Sequence, residues 1–199
     1  MNASTVVPYA VAYQEADGYN EQLDEADGRV RDFRYSCDGA LTAETARGYV
    51  VTTRCTMAIE IESADGPGVS AAEAVPGPFC HLVDDEDVIR AAIDVENRDF
   101  ERPPYADGGI LVANFADTTR TVGVRLEGDV NTDDAVPFER DYDVSPTAGT
   151  ATLDVFEETG EYEVVVSVDG DVRTRHDWQF AGESWPEEPL DHWTIGEHG

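Results

Sequence analysis

Apolar and polar residues alternate along much of this chain. The longest such stretch runs from Tyr49 to Ile61, and one of its faces consists of Tyr49, Val51, Thr53, Cys55, Met57, Ile59 and Ile61. A two-residue period is that of a β-strand with one buried side and one side facing water. Upstream, Phe33, Tyr35 and Cys37 alternate in the same way. The pattern therefore predicts two strands in the N-terminal half that can pair.

Other N-terminal segments carry different patterns. The acidic run 14–27 is typical of a solvated loop, and the Gly-, Ala- and Pro-rich segment 63–78 predicts a surface loop. Segment 84–97 has two interpretations. Asp84 followed by Asp87 is compatible with the start of a short helix. Alternation from Ile89 to Val95 favours a strand, and we expect the strand.

Short apolar runs of strand length recur after Pro103-Pro104 and Gly108-Gly109, which suit a linker. The runs are Ile110 to Phe115; Val122, Val124 and Leu126; Phe138, Tyr142 and Val144; Ala151, Leu153 and Val155; Tyr162 to Val168; and Val172 to Phe180. The last two flank Asp169-Gly170, a strong hairpin signal. The fold class predicted is all-β: an antiparallel β-sandwich at 103–181, a β-rich N-terminal domain at 1–102 and an irregular tail at 182–199.

Three segments of the C-terminal half point to a family. They are Leu111-Val112-Ala113-Asn114, Tyr142-Asp-Val144-Ser-Pro146 and Gly160-Glu-Tyr162-Glu-Val164-Val-Val166. Together, residues 110–180 resemble the immunoglobulin-like β-sandwich domains common in archaeal and bacterial surface proteins, and Tyr162 is similar to a tyrosine corner. The resemblance implies a spacer, adhesion or assembly module. The N-terminal half resembles no family that we can name.

Charge decides which solvent the chain suits. The 199 residues include 43 acidic and 13 basic side chains, for a net charge of -30, and every basic residue is arginine. Such a chain repels itself in dilute buffer. Near 1 M salt the Debye length falls to about 3 Å, which screens the repulsion. With 41% apolar residues in regular alternation, the chain is expected to fold. This composition is typical of proteins from salt-loving archaea and predicts a requirement for high salt.

The same charge restricts partners and location. Nucleic acid is excluded because the arginines are scattered and form no basic face. No segment is long enough to cross a bilayer. The N-terminal apolar run lacks a basic region and a cleavage site, so no signal peptide is expected. The location stays open: a virion or an intracellular complex, or the cell surface if the chain is a processed product. Protein partners or self-assembly are expected.

Three cysteines allow several arrangements. Cys37 and Cys55 fall on the apolar faces of two strands that can pair, as a disulfide or as two buried thiols. The thiols are favoured because no signal peptide is recognised. Cys80-His81 could join them as zinc ligands. However, no Cys-x-x-Cys unit occurs and the separations match no known zinc spacing, so no metal is predicted here.

Two further groups could bind ligands. Asp129, Asn131 and Asp133 resemble the opening of a calcium loop, but Asp134 replaces the turn glycine and Arg140 stands in place of the bidentate glutamate. An ordinary acidic turn is favoured over a looser calcium site. A second group, Trp178, Trp185 and Trp193, could line an aromatic groove. A core edge capped by the tail is favoured, because Trp178 falls on the predicted inward face of its strand.

No catalytic motif emerges from the sequence. Ser70 lies in Gly-Val-Ser-Ala-Ala, which lacks the second glycine of a nucleophile elbow, and no phosphate-binding glycine loop is present. The function expected is that of a non-catalytic structural or protein-interaction module without a cofactor. It would belong to the cell envelope of a halophilic archaeon or to the virion of a virus infecting one. The alternative is a β-sandwich module that binds calcium or a small ligand.

Overall fold

The computed structural model describes residues 2–25, 30–62, 69–96, 110–127, 138–152 and 160–180. These ranges hold one helix and eleven strands. They are α1 Ala3–Glu25, β1 Val30–Thr45, β2 Gly48–Glu62, β3 Val69–Ala74, β4 Phe79–Val83, β5 Val88–Glu96, β6 Ile110–Asn114, β7 Arg120–Glu127, β8 Phe138–Val144, β9 Ala148–Thr152, β10 Gly160–Val168 and β11 Asp171–Phe180. The all-β fold class is confirmed.

The chain divides into two compact units, Met1–Ile89 and Arg90–Gly199. The predicted boundary between residues 102 and 103 falls in 97–109, which lies outside the described residues, as does the predicted tail 182–199. The three-part domain division therefore stays a prediction.

A long hairpin forms the centre of the N-terminal unit. β1 and β2 pair antiparallel around the turn at Ala46 and Arg47, which confirms the strand predicted from Tyr49 to Ile61. On its other side β2 has two partners. Its first half pairs with β4 and its second half pairs with β3, both antiparallel. β3 corrects the prediction of a loop at 63–78, because pairing with β2 satisfies the backbone of a segment whose small side chains leave no apolar signal.

Helix α1 packs on this hairpin and corrects the prediction of a loop at 14–27 as far as Glu25. Asn2 caps its start, since the Oδ1 atom of Asn2 accepts a hydrogen bond from the Ser4 amide at 3.1 Å. The residues Val6, Ala10, Gln14 and Gly18 are buried at intervals of four. This narrow buried stripe allows the other faces to carry carboxylates, and that acidity concealed the helix from sequence reasoning.

Buried residues of the helix and the sheet form the core of this unit. One cluster contains Val6, Ala10, Val51 and Val83, and a second contains Cys37, Cys55 and Phe79. Helix and strand approach closely at Gly18, where an added Cβ would lie 2.4 Å from Cζ of Tyr35. A larger residue at position 18 would force either the Tyr35 ring or the helix to move.

Within the predicted segment 84–97, the described residues 84–96 form a turn and a strand rather than a helix. Oδ1 of Asp84 accepts hydrogen bonds from the amides of Glu86 and Asp87, at 2.8 and 2.7 Å, and these bonds hold the pKa of Asp84 below its ordinary value. The turn leads into β5, as the alternation from Ile89 to Val95 predicts.

The C-terminal unit contains two layers of strands. β11, β10, β7 and β8 form an antiparallel sheet in that order. In the second layer, β9 pairs antiparallel with β6 and parallel with β5. The residues of the core are Val112 from the second layer and Val122, Val124, Leu126, Tyr142, Val144, Val164 and Val166 from the sheet. The Tyr142 hydroxyl lies 2.8 Å from Oγ1 of Thr152 in a buried hydrogen bond that links the layers. The predicted β-sandwich is confirmed.

The hairpin of β10 and β11 turns at Asp169 and Gly170, both with positive φ, as the sequence predicts. The amide of Thr121 donates to Oδ1 of Asp169 at 3.1 Å and lowers the pKa of Asp169, an effect to which Arg120 adds. Beyond the turn the register shifts: Ser167 lies opposite Val172, but Val166 lies opposite Thr174. This bulge inserts one extra residue, and Val172 remains 56% exposed although the alternation places it with the inward residues.

Candidate functional site

The two strand cysteines of the N-terminal unit form a disulfide. Cys37 and Cys55 lie directly opposite each other on β1 and β2, with their sulfur atoms 2.04 Å apart. The sequence analysis favours two buried thiols, and the structure has the alternative, a disulfide. The Cys37 amide also donates to Oε1 of Glu15 at 3.0 Å, so helix α1 is tied to the strand at this point.

Cys80 and His81 do not converge with that pair. They are neighbours on β4, so their side chains project to opposite sides of the strand. The His81 ring lies edge-on to Tyr13 and its Nε2 is 2.9 Å from Oγ1 of Thr53. Burial raises the pKa of the Cys80 thiol to about 12, which keeps it protonated and unreactive at neutral pH. Among the described residues, no group of three or more His, Cys, Asp or Glu side chains could hold a metal ion.

The other predicted site residues lie outside the described part of the chain. Asp129, Asn131 and Asp133 fall in 128–137, and Trp185 and Trp193 fall in 181–199. The backbone of Trp178 pairs with Tyr162, but its side chain is likewise not described. The calcium loop and the aromatic groove therefore stay predictions.

A shallow cleft lies at the turn between β1 and β2. Its volume is about 280 Å³, and its lining includes Arg47 with the carboxylates Glu44, Asp84 and Asp85. Ligand pockets usually enclose about 300–1,000 Å³ and are mainly apolar, so this small charged cleft does not have the form of a substrate site. We assign it no function.

The C-terminal unit presents a wider surface than this cleft. The side chains of the four-stranded sheet alternate between the core and the solvent, and we call the solvent side the outer face. Its residues are Thr121, Gly123, Arg125 and Glu127 on β7; Glu139, Asp141 and Asp143 on β8; Glu161, Glu163, Val165 and Ser167 on β10; and Val172, Arg175 and Asp177 on β11.

The centre of the outer face is ordered by two arginines. Val165 is only 4% exposed although it points away from the core. It lies directly between Arg125 and Arg175 on the neighbouring strands, whose aliphatic stems can cover it. Arg125 pairs with Glu127, and Arg175 pairs with Glu163 and lies 3.9 Å from Glu127. Arg175 thus bridges two glutamates that oppose each other in register.

Comparison with known proteins finds one family model that matches this part of the chain. Residues 118–191 match the family model of the halobacterial Ig-like domain. The match covers β7 to β11, including the whole outer face, and confirms the resemblance predicted for 110–180. No curated protein and no solved structure matches the chain. An Ig-like domain of this family suggests a non-catalytic structural or interaction module.

We expect Arg175→Ala to destabilise the Ig-like domain by about 1–1.5 kcal/mol. The substitution uncovers part of Val165 and removes the cation between two opposed glutamates, each a modest effect at a partly exposed site. Chemical unfolding in molar salt measures the difference. Arg173→Ala is the matched control, because Arg173 lies 4.0 Å from its partner Asp171 and both side chains are mostly exposed. An equal loss in both variants would contradict a specific role for Arg175.

Sequence reasoning missed Arg125 and Arg175. Their signal is visible in the alternation of valine or leucine with charged residues, as in Val124-Arg125-Leu126-Glu127. That alternation identifies outward positions on each strand. It does not show which outward residues meet, because the bulge in β11 changes the partners beyond the turn. Among the described residues, no helix is both long and apolar enough to cross a membrane.

Proposed function

We propose that this chain is a structural, protein-interaction module of the cell envelope of a halophilic archaeon, and that the outer face of its Ig-like domain contacts a protein partner. The observation that carries the proposal is the family match at 118–191, together with the ordered outer face that this segment presents.

The chemistry of the outer face suits a protein partner. Arg125 and Arg175 are held in place by glutamates, and they surround one apolar residue, Val165. Arginine is enriched in protein interfaces, and charges of both signs in fixed positions select a partner and its orientation. Carboxylates outnumber arginines on this face, which disfavours a phosphate backbone.

The disulfide supports placement in the envelope. Disulfides form and persist in oxidising surroundings and are rare in cytosolic proteins. The Cys37–Cys55 pair joins two strands within the core of the N-terminal unit. This favours a position outside the cytoplasmic membrane over an intracellular complex.

Site-specific photo-cross-linking in the native cells tests the proposal. A photoreactive residue at Asp141, exposed on the outer face, is compared with one at Ala12, exposed on helix α1. We expect the chain to fractionate with envelopes in molar salt and to cross-link to an envelope protein from position 141 and not from position 12. Recovery with the cytosol, or equal cross-linking from both positions, would contradict the proposal. Recovery in released virus particles would show that the module belongs to a virion and not to the cell envelope.

A further inference from the structure

The N-terminal unit contains an open sheet edge. Residues Val69–Ala74 of β3 pair with Met57–Glu62 of β2 on one side, and no other described strand pairs with β3. All six side chains of β3 are exposed. The backbone N–H and C=O groups along such an edge are a template for a strand of another chain.

Charge distinguishes β3 from the edges of the four-stranded sheet. In β8, four of seven residues are charged, as are Asp171, Arg173, Arg175 and Asp177 in β11. In β3, only Glu73 is charged. Charged side chains protect edges from pairing, and β3 largely lacks that protection. Glu60 and Glu62 lie opposite Ala71 and Val69 on β2, one strand further from the edge, so two copies with a net charge of -30 each need molar salt to approach here.

We propose that β3 pairs antiparallel with β3 of a second copy, about a two-fold axis at Ala72. The sheet of one N-terminal unit then continues into the sheet of the other. An isologous contact of this kind uses the same surface twice, so it closes as a dimer and does not extend into a fibre. It goes beyond the proposed function, because its residues and its partner differ from those of the outer face.

The side chains along this edge favour an axis at Ala72 over an axis at position 73. Pairing about Ala72 places Val69 opposite Val75 of the other copy, the residue that follows β3, twice by symmetry; the side chains of these valines are 44% and 46% exposed in the single chain. Glu73 then faces Ala71. Moving the axis by one residue to position 73 would place the two glutamates directly opposite each other, where like charges repel.

The apolar side of β2 extends the contact. Ile59 lies opposite Ala72, and Ile61 lies opposite Ser70, in the pairing of β2 with β3. Residues directly opposite each other point to the same side of a sheet. Ile59 is already buried in the single chain, whereas Ile61 is partly exposed, so Ile61 of each copy is the residue that adds apolar surface to this face of the dimer.

Cysteine cross-linking of the full chain in 2–3 M KCl tests the axis. Ala72→Cys places two thiols opposite each other in the dimer, whereas Ala74→Cys on the same face lies opposite Ser70. Among the native cysteines, Cys80 is buried and the other two are joined, so the new thiol reacts alone. A mild oxidant is expected to convert most of the Ala72→Cys variant to a covalent dimer and to leave Ala74→Cys monomeric. Equal yields, or no dimer in either variant, would overturn the proposal.

Sedimentation equilibrium tests the energetics without new thiols. In the Ala71→Glu variant, each new glutamate lies opposite Glu73 of the other copy, which happens twice in the dimer. Because like charges then repel, we expect the dimer dissociation constant to rise about tenfold. Adding Glu73→Arg places opposite charges across the contact and should return the dissociation constant to the wild-type value. Val172→Glu is the control, since it adds the same charge at an exposed position of β11. Circular dichroism verifies that the variants are folded.

A monomeric wild-type chain at all concentrations, or a double variant that is not restored, would refute the pairing. Either result would refute only the pairing of β3. The envelope role would still be tested separately, by cross-linking from position 141.

Discussion

Dilution from about 3 M KCl to about 0.1 M KCl is expected to unfold the protein, with loss of its β-sheet circular dichroism. The net charge of -30 is spread over a compact body, and the described ion pairs lie at partly exposed positions. The Debye length grows from about 3 Å at 1 M salt to about 10 Å at 0.1 M, so carboxylates that salt isolates from one another begin to repel. Unfolding relieves this repulsion by separating the charges.

The ionic character of the effect has its own control. Sucrose strengthens apolar burial without screening charge, so it should not replace KCl in keeping the protein folded at low ionic strength. NaCl should replace KCl at a similar concentration. A circular dichroism spectrum that stays unchanged across the dilution would contradict the requirement for salt, and protection by sucrose alone would show that screening is not the cause.

Replacement of Asn114 by alanine is expected to cost about 3 kcal/mol of stability. The Asn114 amide nitrogen donates to the carbonyls of Thr118 and Val144, at 2.9 Å each, and its oxygen accepts from the Ala116 amide. Asn114 is 5% exposed and its bond to the Val144 carbonyl is buried, so the substitution leaves that carbonyl away from water without its donor and weakens two half-buried turn contacts. Each buried group left without a partner costs about 1–3 kcal/mol. Urea unfolding in molar KCl measures the change.

The Asn114→Asp variant distinguishes the contribution of the hydrogen bonds to stability from the contribution of side-chain packing. The carboxylate has the same shape but cannot donate to the two carbonyls, so we expect a loss at least as large as that of alanine at pH 7. Protonation returns one donor, and the difference from wild type should narrow as the pH falls. A variant as stable as wild type at pH 7 would show that the donated bonds do not hold these turns.

The strands of the C-terminal unit illustrate what pattern alone can predict. The apolar run 110–115 identified β6, alternation over 122–126 and 162–168 identified β7 and β10, and the Asp169-Gly170 pair identified the hairpin. These signals are local, because a strand with one buried side must alternate and a two-residue turn needs residues that adopt positive φ. The same reasoning failed for α1, whose buried stripe of Val6, Ala10, Gln14 and Gly18 includes a polar residue and a glycine.

The candidate surfaces depended on contacts that no local pattern contains. A two-residue turn without a bulge would place Arg175 opposite Val164, which faces the core. The extra residue after Val172 instead places Arg175 opposite Val165 and beside Glu163. Likewise, β3 is visible as a strand only through its pairing with β2, since its serine and alanines carry no apolar alternation.

The amino-acid sequence by itself determined the β-rich class, the halobacterial Ig-like character of the C-terminal half and the large negative charge, because each depends on residue type and on spacing along one strand. The tertiary structure alone decided the disulfide between Cys37 and Cys55, the arginine bridge around Val165 and the open edge of β3. These depend on which strand lies beside which, and on bulges that change the register. Pairing between distant segments is set by the packing of the whole unit.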